Sequence, residues 1–346
     1  MVVSGPTQNR LGTSMICIFL LASSTTALAQ TFFRPASQAV LQYGMVIAVP
    51  HSPLAWSITA VAAESAQRRG QPSPLLDGPL SRMASTLAAM TVQGGRHVRG
   101  AIDFASSHSG VFEPVPVVLT LQTNEKNDDA IAASLGNQIT NALGLRIFNR
   151  MGVGVQTGGD GHAKIVVVVL SERAINLSSV PRELPADGQV TLRGQLRYPY
   201  TEPQLYITEP NGEARSINFE GSGGEIRVRF RCTAKGMHRI ELLGEATAGP
   251  VVLTNIPVYC GIIGPKQIAL VNTRAPAMPL AAAEAKLLEL VNGARVQSGR
   301  TALLPHPKAE IVARNHSKDM RDHRFVAHIS TRTGNVGDRI QATGLT

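Results

Sequence analysis

Charge is sparse in this chain: charged residues fill only 16% of its 346 positions, and the mean hydropathy is near zero at +0.04. That composition excludes a disordered chain, which needs high charge and little apolar surface. The length predicts two or three domains rather than one core. Beyond the amino-terminal segment no stretch approaches the ~18 uninterrupted apolar residues of a membrane-spanning helix. Basic runs are also missing. The net charge of +9 invites nucleic acid as a partner, yet Lys and Arg are dispersed, with no run beyond Gln67-Arg68-Arg69 and no basic groove studded with aromatics. Nucleic acid is therefore set aside as a partner. What remains is a mildly basic surface, suited to an anionic envelope or wall polymer.

Two motifs of catalysis and phosphate binding are absent as well. Gly152, Gly154, Gly158, Gly159 and Gly161 lack the G-x-G-x-x-G spacing, and a strand from Ile165 to Leu170 follows them rather than a helix; the reading is a hairpin turn. Ser52, Ser109 and Ser330 have no nucleophile-elbow context, which leaves a serine-hydrolase triad without support.

Cysteine is scarce, with three in the chain. Cys17 lies in the apolar run from Met15 to Ala22, and Ala27-Leu28-Ala29 before Gln30 satisfies the A-x-A rule of signal peptidase. Met1 to Ala29 is read as a signal peptide. The mature chain is then exported, to the periplasm or outside the cell, and without a lipobox after Cys17 no lipid anchor is expected. Cleavage leaves Cys232 and Cys260, a disulfide candidate in an oxidising compartment. Each ends a strand-like run, with another strand between them in sequence. The outer strands of a three-strand meander lie about 9 to 10 Å apart, too far for a bridge. A disulfide thus requires the two strands to pair directly or to face each other across a sandwich; two free buried thiols are the alternative.

From about residue 186 to 264, short alternating runs are separated by turn signals such as Pro210-Asn211-Gly212 and Ser222-Gly223-Gly224. The runs are Val190 to Leu196, Gln204 to Thr208, Ile226 to Phe230, Arg239 to Leu243 and Val251 to Tyr259. Strands so closely spaced predict a small all-β sandwich with an immunoglobulin-like look. Residues 265–282, with Pro276 and Pro279, read as a linker.

The last segment is the most distinctive. A helix with Leu287, Leu290, Val291 and Ala294 is followed by a turn at Gly299, an apolar Leu303-Leu304 and a second helix carrying Asn315-His316-Ser317-Lys318-Asp319-Met320. Then come Phe325-Val326-Ala327-His328-Ile329-Ser330 and a short helix through Val336 and Ile340. On the second helix His316, Asp319, Met320 and His323 share one face. Histidine and carboxylate at that spacing can hold a divalent metal such as zinc, with His316, His323 and His328 as candidate ligands; the polar flank of a cleft is the alternative.

In its order of elements and its F-x-x-H-x-S step, residues 283–346 resemble the opening of a bacterial CAP-superfamily (SCP-like) domain, the family of cysteine-rich secretory proteins, antigen 5 and plant pathogenesis-related proteins. The resemblance implies a three-layer α-β-α sandwich and makes His328 a cleft residue, with His316 a weaker candidate. The Gly-Glu-Asn step and the later histidine of the family do not follow, so the implied cleft is incomplete, whether the segment is a truncated copy or a remnant. It implies a non-enzymatic binding role toward lipid, envelope polymer or protein; the alternative is a metal-assisted, protease-like hydrolase.

Residues 50–172 carry a weaker likeness. With Gly70 placed on Gly299, Leu80, Met83 and Ala84 fall on Ala309, Val312 and Ala313, and Phe148 to Val155 with the strand Lys164 to Leu170 resembles the closing part of such a domain. His97, His108 and Glu113 are the candidate polar residues there. The expected fold is α+β: CAP-like α-β-α modules flanking a β-sandwich.

Overall fold

The computed structural model describes residues 31–158, 163–217, 224–247, 249–272, 278–297, 299–323 and 329–344. The signal-peptide reading of Met1 to Ala29, the Gly159 to Gly161 turn and His328 lie outside the described residues. In chain order come β1 (Phe32–Phe33), β2 (Gln42–Tyr43), α1 (Pro53–Gln67), β3 (Leu75–Leu76), α2 (Gly78–Val92), α3 (Arg99–Ser109), β4 (Val117–Thr123), α4 (Asp128–Leu143), β5 (Arg150–Thr157) and β6 (Lys164–Ser171). Next are β7 (Ile175–Leu177), β8 (Val180–Pro181), β9 (Glu183–Leu184), β10 (Gln189–Leu196), β11 (Thr201–Thr208), β12 (Ala214–Ile217), β13 (Glu225–Arg231), β14 (Gly236–Ala246), β15 (Gly249–Cys260) and β16 (Ile268–Ala269). Three helices close the series: α5 (Leu280–Gln297), α6 (Pro307–His323) and α7 (Val336–Gln341). The fold is of the α+β class.

The first layered unit is built around a sheet of order β3-β5-β6-β4, antiparallel except for the β3–β5 pair. The unbroken Ile-Val-Val-Val-Val-Leu of β6 is explained by burial on both faces. Val166, Val168 and Leu170 pack with α1 and α4, while Ile165, Val167 and Val169 pack with α2 and α3. Three α-β-α layers result. Short polar residues start α1, α2 and α4: Ser52 accepts from Ala55 N at 3.2 Å, Asp77 from Leu80 N at 3.2 Å and Asn127 from Ala130 N at 2.9 Å, each satisfying an amide without an intrahelical partner.

Two further sheets, β13-β10-β7 and β12-β11-β14-β15-β9, enclose a second core. Alternation in β13 sends Ile226, Val228 and Phe230 inward to meet Leu205, Ile207, Ile240 and Leu242 of the facing sheet. Cys232 follows β13 in one sheet and Cys260 ends β15 in the other; they form a disulfide with Cα atoms 5.8 Å apart. The bridge therefore spans the sandwich, the second of the two geometries that permit it.

The segment before α1 ties both cores together. β1 pairs with β16 and β2 with β8. Phe33 enters the layered unit's core and Tyr43 the sandwich core, where its hydroxyl donates to Pro257 O at 2.8 Å and lies 2.9 Å from Ser107 Oγ. The stretch read as a linker from 265 thus begins with a paired strand, and Leu270 is buried beside α2.

The carboxy-terminal helices repeat the local geometry of α1 and α2. Gly70 N bonds Gln67 O and Gln71 N bonds Ala66 O, both at 3.0 Å; Gly299 N bonds Val296 O at 3.0 Å and Arg300 N bonds Arg295 O at 2.8 Å. Both glycines sit at positive φ, +64° and +68°, where an L side chain is strained. The next helix begins eight residues later in each case. Val312, matched to Met83, is buried, whereas Leu287, Leu290 and Ile311 are 64%, 59% and 52% exposed.

Candidate functional site

On α6, Asp319 gathers the polar groups. Its carboxylate takes the Ser330 hydroxyl at 2.6 Å and lies 2.8 Å from His323 Nδ1. Ser330 Oγ accepts the amides of Arg332 and Thr333 at 3.1 and 3.3 Å, so the turn before α7 is anchored to the end of α6. The Ser330 hydroxyl bond holds the Asp319 carboxyl below the ordinary carboxylate range. Serine, aspartate and histidine are thus adjacent in an order unsuited to nucleophilic attack: the hydroxyl donates to the carboxylate, whereas an activated nucleophile donates to its base.

Among the described residues no three His, Cys, Asp or Glu side chains gather as a metal would require. His316 and His323 lie on α6 as expected, and among the described residues they belong to no such group. His328, the third candidate ligand, falls outside the described residues.

In the layered unit the nominated residues have separate local tasks. His97 Nε2 lies 2.9 Å from Thr91 Oγ1 and 3.0 Å from Leu87 O, with Nδ1 3.3 Å from Thr120 Oγ1, fastening the end of α2 to β4. His108 Nε2 pairs with Ser37 O at 3.0 Å, fastening α3 to the segment before α1. Burial lowers the pKa of both imidazoles from the ordinary histidine value. Glu113 is buried and meets Arg173 at 2.6 Å, and Arg173 also meets Asp77 at 3.0 Å. Burial pushes the Glu113 carboxyl up, against the pull of the guanidinium. The arrangement locks the start of α2 and the approach to β4 onto the chain leaving β6. It joins residues 60 and more positions apart, and nothing local in the sequence marks them as partners.

The sandwich has a comparable cluster. His238, fully buried, places Nε2 2.8 Å from Glu209 Oε2 and 3.1 Å from Thr233 Oγ1, while Arg215 donates to the other Glu209 oxygen at 2.7 Å. Compared with known proteins, the chain matches no family model and no curated sequence.

Proposed function

We propose that this is an exported protein of CAP-like build with a non-enzymatic binding role at the cell envelope or outside the cell, toward lipid, envelope polymer or protein. The observation that carries the binding reading is how His97, His108 and Glu113 are used: each is engaged in bonds that join elements of the fold, which suits a scaffold for recognition better than a set of groups held ready for proton transfer. The CAP-like build is supported by the three α-β-α layers and by the repeated turn at Gly70 and Gly299. Export is supported by the Cys232–Cys260 bridge, because such bonds persist in oxidising compartments. Among the described residues no helix is long and apolar enough to cross a membrane, so envelope contact in this reading runs through the surface of the folded chain.

The test is retention of the purified chain on an isolated envelope fraction, comparing the unaltered protein with His328→Ala. Retention by both within about twofold, decreasing as salt is raised because screening weakens the attraction of a +9 chain, is the expected result. A hydrolytic activity on envelope material that His328→Ala abolishes would overturn the binding reading in favour of a metal-assisted hydrolase. No retention of the unaltered protein would overturn it as well.

A further inference from the structure

Where the two cores are tied together, a cavity of about 640 Å³ opens between residues 34–41, the end of α3, the β8–β9 connection and the loop before β16. Its charged lining is unbalanced: Arg34, Arg182 and Lys266 against Glu183. Glu183 is already occupied, since its Oε1 takes Arg182 Nη1 at 3.0 Å and the Gly264 amide at 2.9 Å. Arg34 and Lys266 enter no ion pair with the described residues, and both are exposed.

Arg182 is different in kind. It is 3% exposed, its guanidinium lies 4.9 Å from the centre of the Tyr259 ring, and its remaining contacts, to Ser107 Oγ and Pro265 O, are long at 3.4 Å. A Cβ at Gly264 would come within 2.5 Å of that guanidinium, so the loop closes on it only because the side chain is absent. A cation fixed in the wall, with two exposed cations at the rim, gives the concavity a positive potential that low-dielectric walls strengthen. His108 adds no charge while neutral, and its Nε2 is engaged by Ser37 O.

We infer that this cavity binds a phosphate-bearing ligand, with Arg34 and Lys266 reaching the phosphate oxygens and Arg182 supplying fixed charge from the wall. Two cations in excess of the one carboxylate match a group carrying up to two negative charges. Guanidinium and ammonium are the donors that phosphate recognition uses. The volume lies in the range of small-molecule sites. The inference depends neither on the family resemblance nor on export.

Thermal unfolding of the full chain in inorganic phosphate, against chloride at equal ionic strength, tests it. Phosphate is expected to raise the melting temperature by ligand linkage. The Arg34→Ala/Lys266→Ala variant should melt normally in chloride and lose the phosphate response, its apparent affinity reduced about tenfold or more. Lys126→Ala/Lys235→Ala removes equal charge elsewhere and should keep the response. No phosphate-specific shift in the unaltered protein, or a shift kept in the Arg34/Lys266 variant, overturns the inference. Co-sedimentation with phosphatidylglycerol vesicles that requires Arg34 and Lys266 would identify lipid headgroups as the source of the phosphate. A phosphate shift without co-sedimentation would identify a soluble phosphate compound.

Discussion

Replacing Gly154 by alanine is expected to destabilise the layered unit by about 3 kcal/mol or more, at the upper end of what overpacking costs. A Cβ at Gly154 would lie 2.1 Å from Ser85 N, and one at Gly152 would lie 2.1 Å from Leu80 C. Both targets are backbone atoms of α2, so no flexible side chain can yield. The helix as a whole would have to lift from β5, opening the contact of Leu80, Met83 and Leu87 with Ile165, Val167 and Val169. Urea unfolding of Gly154→Ala and Gly152→Ala should show a lowered midpoint. Gly100→Ala, in α3 with nothing within 4 Å of the added carbon, should be neutral or stabilising by up to about 1 kcal/mol. Equal behaviour of the three variants would mean that α2 does not approach β5 as described.

Removing the disulfide is the second large effect. The cysteines are 28 positions apart, and cross-linking a loop of that length contributes about 3 to 4 kcal/mol through loss of unfolded-chain entropy. Both cysteines are buried, so Cys232→Ala/Cys260→Ala is preferable to serine, which would add two buried hydroxyls. The double variant is expected to lose that stability, measured by denaturant titration, and reduction of the unaltered protein should reproduce most of the loss. A single variant tests the pairing: its remaining thiol should react with a thiol reagent once the chain is unfolded, whereas the oxidised unaltered protein should show none from this pair.

Much of the architecture was legible because it is written in periodicity. The apolar run of β6 announces a strand covered on both faces, the alternation of β13 announces one covered on a single face, and Pro307 opens α6 where its pattern begins. Strand spacing allows Cys232 and Cys260 to bridge only if their strands pair directly or face each other across a sandwich, and they bridge across the sandwich. The strands β1, β2, β8, β9 and β16 were not legible, since two residues carry no period and their pairing is set by partners far along the chain. The candidate site was less legible than the fold. His316 and His323 are on α6, where helical spacing places them, and Asp319 pairs with the His323 ring and takes the Ser330 hydroxyl, a contact the helical spacing does not mark. Glu113 stood out in the sequence but its partners Arg173 and Asp77 did not, and Arg182, with Glu183 and Tyr259, escaped notice altogether. An arginine between short strands resembles any surface arginine until the fold buries it.

The proposed binding role at the envelope requires export, and the disulfide is expected to form after it. Expression of the full chain in a bacterial host, followed by intact-mass measurement of the exported fraction, tests this directly. The expected product is a species beginning at Gln30, with a mass two hydrogens below that of the reduced chain. A product kept in the cytoplasm with Met1 to Ala29 attached and two free thiols at Cys232 and Cys260 would contradict it.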